Sequence, residues 1–218
     1  MQKEQTYIKL LPILLGFFIV GFCDLVGVSV TYAQSQFNWS ETQAGFLPSM
    51  VFIWFFIVSI PAAIAMDKYG RKNMVLIGFL ITITATLIPI ISFSETSCYI
   101  TFILLGIGNT ILQVSLNPLL TNIVDGKQLT SYITGGQFIK AISSFVGPLL
   151  VGYFSLQYGS WEKSFYVYTF IAHAPAYLVF YLPYPYRYFR KYFRARFHRR
   201  GFFSYLSSAD YHSCSVRY

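Results

Sequence analysis

Two ionisable side chains stand where the sequence offers them no water. Asp24 lies inside an apolar stretch covering residues 8–33, and Lys140 inside one covering residues 132–157. A charge at the middle of a membrane span costs about 2.5–3.5 kcal/mol on insertion scales, and such residues face a bundle interior or a water-filled cavity. Two chemistries fit them: a solute or proton path, or a structural ion pair inside the membrane. At about 1.5 Å per helical residue, Asp24 falls about 5 Å outward of the centre of its span. Lys140 falls about 7 Å inward of its own by the same rise. The offset argues against assuming direct contact.

Amides and hydroxyls are arranged around these charges at helical spacing. Asn109, Gln113 and Asn117 recur at i, i+4 and i+8, which places them on one helix face. Pro118 follows, where the missing N–H predicts a kink and a freed carbonyl. Gln137, Lys140 and Ser144 recur at i, i+3 and i+7, with Gly135, Gly136, Gly147 and Pro148 on either side. Thr31 lies seven residues after Asp24. Three helices therefore present polar faces. Polar side chains of this kind either line a hydrated site or bind helices together. Three aligned stripes and two charges favour the hydrated site.

The elements that must position these residues are membrane helices. Charged residues make up 11% of the chain and hydrophobic ones 55%, against about 25% charged in soluble domains. Charge clusters at Glu41, Asp67–Lys72, Glu95, Asp125–Lys127 and Glu162–Lys163 separate six apolar stretches. These are residues 8–33, 44–66, 74–93, 99–124, 132–157 and 164–183. Each is about 20 residues or longer, enough to cross about 30 Å of hydrocarbon as a helix. The predicted fold class is an all-α polytopic membrane protein with six transmembrane helices. Lys3, Lys9, Lys68, Arg71, Lys72 and Lys127 fall on one side of these spans and Lys163 alone on the other. The positive-inside rule then predicts a multi-pass protein of the cell (inner) membrane with both termini cytoplasmic.

Several function classes lack their residues. There is no GxSxG, HExxH or pair of intramembrane carboxylates, and His173 is the lone histidine within a span, so no enzyme is expected. Cys23, Cys98 and Cys214 are far apart and form no CxxC, so neither a metal nor a cofactor is expected.

The loop after the second span reads Met66-Asp67-Lys68-Tyr69-Gly70-Arg71-Lys72-Asn73. It resembles the signature loop of the major facilitator superfamily, an Asp, a basic residue, any residue, then Gly-Arg-Lys. Gly70 permits a tight turn, the basic residues hold the loop at the cytoplasmic interface, and Asp67 can pair with Arg or cap a helix. The family's glycine four residues before the Asp is Ala63 here. Within that superfamily the chain is similar to the fucose–galactose–glucose:proton symporters. The matching residues are Gly21-Phe22-Cys23-Asp24, Asn117-Pro118 and Gly136-Gln137-Phe138.

The resemblance covers residues 8–183 and implies the N-terminal half of a transporter, built as a 3+3 inverted repeat working by alternating access. It implies proton coupling at Asp24, substrate binding by Asn109, Gln113, Asn117, Gln137, Lys140 and Ser144, and a cytoplasmic gating loop of Asp67, Gly70, Arg71 and Lys72. The expected partners are a sugar or sugar acid, protons, the lipid bilayer and a missing C-terminal half. Two positions depart from the family pattern. A family Glu is Gln113, which cannot titrate, and a family Asn is Lys140. One carboxylate is lost and one cation gained.

The net charge of +8 is concentrated at one end. Residues 1–183 hold eight Lys/Arg and seven Asp/Glu, whereas residues 184–218 hold eight Lys/Arg and one acid. The same 35 residues contain seven Tyr, five Phe, one Leu and no Ile. So abrupt a change predicts a frame-shifted or non-native, unstructured cytoplasmic tail. The alternative is a basic aromatic segment lying on anionic lipid. Nucleic acid is not an expected partner of a tail tethered to a membrane. Other readings are a six-helix protein that transports as a homodimer, or a membrane scaffold or sensor.

Overall fold

The computed structural model describes residues 2–124 and 126–184; the expectations for Asp125 and the 184–218 tail fall, except for Tyr184, outside them. The described residues are all helical or in short connections. In chain order the helices are α1 (Gln2–Gly21), α2 (Val26–Phe37), α3 (Glu41–Tyr69), α4 (Arg71–Ile91), α5 (Glu95–Leu120), α6 (Lys127–Tyr158) and α7 (Ser164–Tyr181). Phe22–Leu25 form a single 3₁₀ turn between α1 and α2. Its flanking residues Gly21, Leu25 and Val26 keep right-handed helical dihedrals, so α1, the turn and α2 run on as one rod.

Helix ends extend past the apolar stretches because local polar groups cap them. Ser40 and Gln43 make a reciprocal capping box at the start of α3, with Gln43 N–H donating to Ser40 Oγ at 3.3 Å and Ser40 N–H to Gln43 Oε1 at 3.0 Å. Ser94 and Ser97 do the same for α5 at 2.8 and 3.2 Å. Each box satisfies first-turn donors that would otherwise be orphaned. Asn38 ends α2 in the left-handed region at φ 52°, a conformation asparagine tolerates.

Five helical elements are long and apolar enough to cross a membrane: 7–37 across the rod, α3, α4, α5, and 128–158 within α6. The sixth expected span, 164–183, is shorter than the sequence suggested. α7 has 18 residues, about 27 Å at 1.5 Å per residue. It also contains Tyr166, Tyr168, Tyr177, Tyr181 and His173, which dilute its apolarity.

The rod packs on α6 and α7, and α5 packs on α3 and α4. The rod also meets α3 and α5, and α4 meets α7. Glycines set the closest approaches. A Cβ on Gly21 would stand 2.5 Å from the Lys140 carbonyl oxygen, and one on Gly136 would stand 2.6 Å from the Phe17 ring. Both contacts advance four residues together along each helix, so α1 and α6 run parallel. On α4 and α5 the order reverses. Gly78 faces Leu112 at 2.8 Å while Gly108, four residues earlier on α5, faces Thr82, four later on α4, at 2.5 Å. These two helices are antiparallel.

Around these contacts Ile13, Phe17, Phe79, Leu112, Leu116 and Leu119 are fully buried. At the other end of the bundle Phe37 stacks on Trp39 at 4.9 Å and Trp39 on Tyr99 at 4.8 Å, while Phe93 meets Trp161 edge-on at 5.5 Å. α3 and α6 keep much of their apolar surface outside the core, as at Phe56 (80% exposed) and Leu156 (86% exposed).

Replacing Gly21 by alanine is expected to destabilise the detergent-solubilised protein by about 1–3 kcal/mol, the usual cost of overpacking. Gly27→Ala is the control, because nothing lies within 4 Å of a Cβ there. Thermal unfolding of the two variants checks this: a lower midpoint for Gly21→Ala and little change for Gly27→Ala.

Candidate functional site

Asp24 occupies the 3₁₀ turn, where the rod's helical ladder changes pitch. A short 3₁₀ stretch inside a helix commonly marks a hinge or a functional position. Phe22, Cys23 and Leu25 on the same turn are buried, and Asp24 is exposed from the bundle. Across the close contact made by Gly21, Ser144 of α6 donates from Oγ to Asp24 Oδ2 at 2.5 Å. Ser144 Oγ also lies 3.0 Å from the carbonyl oxygen of Lys140, one turn earlier on α6. One hydroxyl thus sits between the carboxylate and the backbone of the lysine. A serine hydroxyl has one proton and two lone pairs, so it can donate to either oxygen and accept from a protonated carboxyl.

The structure places the other polar residues unequally. Lys140 and Ser144 are half-buried and Gln137 and Thr31 are exposed. Asn109 is buried, its side chain approaching the Cys23 thiol beside Asp24. Gln113 and Asn117 are half-buried. The carbonyl oxygens of Asn109 and Asn117 have no hydrogen-bond partner. Buried amides without partners are rare and call for a ligand, water or ion. Asp24, Ser144 and Lys140 are brought together, with Asn109 behind them. Asn117 lies two turns further along α5, followed by Pro118 within the last turn of that helix.

The basic loop has a different task. Gly70 ends α3 and precedes α4 with φ 86° and ψ 154°, a backbone conformation essentially confined to glycine. Its N–H donates to the Met66 carbonyl at 2.9 Å. Arg71 Nη1 lies 2.7 Å from the Pro118 carbonyl, 2.7 Å from Thr121 Oγ1 and 2.5 Å from Asn122 Oδ1. Lys72 Nζ donates to the carbonyls of Phe180 at 2.8 Å and Leu182 at 2.9 Å. Two adjacent cations therefore close the C-terminal ends of α5 and α7, where last-turn carbonyls lack partners and the helix dipole favours positive charge. Asp67 is exposed and makes no hydrogen bond or ion pair among the described residues. It neither pairs with Arg71 nor caps α4, the two options open in the sequence. The helix end is closed by backbone instead.

Residues 13–207 match the Major Facilitator Superfamily. The chain belongs to the major facilitator superfamily. A glucose/galactose transporter of Brucella abortus (biovar 1, strain 9-941) is 26% identical over 152 residues, covering 68% of this chain and 37% of the relative. A hexuronate transporter of Bacillus subtilis (strain 168) is 23% identical over 160 residues, covering 71% of this chain and 38% of that protein.

Among solved structures, the proton:xylose symporter XylE bound to 6-bromo-6-deoxy-D-glucose superposes with a TM-score of 0.73 at 15% identity, covering 84% of this chain and 46% of that one. The fucose:proton symporter FucP of E. coli, in a single-residue variant, gives 0.60 at 16% identity, covering 81% and 49%. The major facilitator fold is thus shared with these structures, and this chain spans less than half the length of each relative. It is a multi-pass membrane protein of this superfamily.

Sequence reading missed the Asp24–Ser144 bond because it depends on how closely α1 and α6 cross. It also missed the caps on α5 and α7. That second signal was available: last-turn carbonyls need donors, and Arg71 and Lys72 lie on the same side of the membrane as those helix ends.

Arg71→Ala is expected to release the end of α5. Amide hydrogen exchange at residues 121–124 should speed up, with a loss of about 1.5–3 kcal/mol of local stability, the worth of a hydrogen bond to a charged group. Exchange at the α3 capping box should stay as it is. Mass spectrometry of the two peptides checks the contrast.

Proposed function

We propose that the chain forms one six-helix half of a secondary transporter that moves a sugar or sugar-like solute together with protons by alternating access. The observation that carries this is Asp24, an ionisable side chain in mid-span, exposed from the bundle and bonded across helices to Ser144. A carboxylate there is costly unless it serves a path for protons or solute. Membership of the superfamily, and relatives named for glucose, galactose, hexuronate and xylose, support the solute class.

In this reading Asp24 couples to protons. Asn109, Gln113, Asn117, Gln137, Lys140 and Ser144 line the solute side. Asp67, Gly70, Arg71 and Lys72 form a cytoplasmic loop that fixes helix ends during the transition. Both termini lie on the cytoplasmic side of the cell (inner) membrane, as the distribution of Lys and Arg suggests.

The helix contacts support a 3+3 inverted repeat with α7 as the sixth span. Exchanging the rod with α5, α3 with α6, and α4 with α7 turns each major helix pair into another that also occurs. Rod–α6 becomes α5–α3, rod–α7 becomes α5–α4, and α3–α4 becomes α6–α7. The exposed apolar surfaces of α3 and α6 then await lipid or a second six-helix unit. Tyr184, the last described residue, is tied to this unit, its hydroxyl donating to the Lys9 carbonyl at 3.1 Å.

The test is uptake of labelled glucose, galactose and glucuronate into cells lacking sugar transporters. The chain is expressed alone, and together with the second half of the Brucella abortus glucose/galactose transporter. Uptake is expected only on co-expression, and Asp24→Asn should abolish accumulation against a gradient while leaving equilibration. Accumulation by Asp24→Asn would remove the coupling role, and uptake by the chain alone would favour a homodimer.

A further inference from the structure

Asp24 and Lys140 bear opposite charges on neighbouring helices without being tied to each other. Asp24 accepts from Ser144, and the Lys140 ammonium has no hydrogen-bond or ionic partner among the described residues. Ser144, which holds Asp24, and Lys140 stand one turn apart on α6, and the Lys140 carbonyl lies against Gly21 at the start of the turn, so both belong to the same stretch of the rod–α6 contact. The elements packed around the turn bring no further charge to it among the described residues. On the turn itself the other titratable group is buried Cys23. On α6 Lys140 is flanked by Gln137 and Ser144. On α5 the polar side chains are the neutral amides of Asn109, which is buried, and Gln113, which is half-buried. On α7 Tyr168 meets Phe22 of the turn at 4.4 Å and donates to the Gly147 carbonyl, while His173 is exposed and lies 2.7 Å from the Thr169 carbonyl of its own helix. Among the described residues the site's charge is therefore set by Asp24 and Lys140: zero with the carboxylate ionised, and +1 with it protonated.

We infer that the site takes an anionic sugar, a sugar acid whose carboxylate is held by Lys140 while Asp24 binds one proton. This rests on the transporter reading above and narrows its substrate class. The charge balance supplies the coupling. Empty, with Asp24 ionised, the site is neutral; loaded with a proton and one carboxylate, it is neutral again. Proton alone leaves +1 and the anion alone leaves −1, and an unbalanced charge inside a span is costly. Only the empty and fully loaded forms avoid that penalty.

Ser144 makes the two forms compatible with one helix contact. With Asp24 ionised, the Ser144 hydroxyl donates to Oδ2. When water delivers a proton to Asp24, the carboxyl donates to Ser144 Oγ and the serine proton turns to the Lys140 carbonyl 3.0 Å away. No bond of the sugar is made or broken. The α1–α6 link persists in both protonation states, and the change left for the solute to sense is the uncompensated charge of Lys140. Ser144 is thus a positioning residue for Asp24.

The experiment is calorimetric titration of the 218-residue chain in nanodiscs with D-glucuronate and with D-glucose. Buffers of different ionisation enthalpy count the protons taken up. Glucuronate should bind at least tenfold tighter than glucose and take up about one proton at a pH where Asp24 is ionised. Lys140→Gln should weaken glucuronate tenfold or more, and Lys140→Arg should largely restore it, which separates lost charge from lost fold. Asp24→Asn should bind glucuronate without proton uptake. Equal binding of both sugars, or glucuronate binding untouched by Lys140→Gln, overturns the anionic substrate and leaves the transporter reading standing. Binding of neither sugar overturns the inference and also the placing of the solute site on this chain alone.

Discussion

No side chain fits between Gly21 and the backbone of α6, and the rest of the site depends on that contact. A carbon added at residue 21 would meet the Lys140 carbonyl oxygen at 2.5 Å and Ser143 Cβ at 2.6 Å. Four residues earlier on both helices, Gly136 lies under the Phe17 ring. With two small residues in register, parallel helices approach as glycine-mediated pairs do in membranes, where packing rather than the hydrophobic effect holds helices together. The approach carries the turn after Gly21 far enough toward α6 for a short carboxylate to reach Ser144. A glutamate could bridge a wider crossing; the shorter aspartate needs the close one.

A second constraint acts at the helix ends. Backbone groups at the membrane surface still require partners, and the last turns of α5 and α7 expose carbonyls beside the start of α4. α4 runs antiparallel to α5, so its first residues arrive where α5 ends. Arg71 and Lys72, the first two residues of α4, supply the donors. Gly70 is what turns the chain so that both cations point at neighbouring helices and not back along α3. The basic character of the loop, which by itself states only which side of the membrane it occupies, becomes a device that fastens three helices together.

The membrane class and the positions of the helices were legible in the sequence because a bilayer imposes length and apolarity on each span. Boundaries were less so. Apolarity marks the part of a helix inside hydrocarbon, and α3 runs from Glu41 to Tyr69 because Ser40 and Gly70 cap it outside that zone. The 3₁₀ turn was not legible, since Phe22–Leu25 contain neither proline nor glycine and the pitch change follows from tertiary contact. α7 looked like a span of twenty residues, but its helix closes after 18, at Tyr181. At the site, the stripes at 109–117 and 137–144 were legible from spacing. Which members would meet was not, because that depends on the crossing distance of α1 and α6.

The two polar helices also differ in what surrounds their polar side chains. Gly106 of α5 meets the backbone of α3 at Val51, with a Cβ there falling 2.9 Å from Val51 Cα, much as Gly21 meets α6. Three residues beyond each glycine stands a polar side chain: Asp24 in the rod and Asn109 in α5. The environments diverge at that point. Asp24 is exposed in a turn that loosens the helix, so ionised and protonated forms can both find partners. Asn109 is buried in an unbroken helix with its carbonyl oxygen unpartnered. A carboxylate at that position would be a desolvated charge, which is costly without a partner. An amide keeps hydrogen-bonding capacity there without the charge. On the inference that Lys140 offsets Asp24, a second carboxylate would leave the empty site with a net negative charge inside the span.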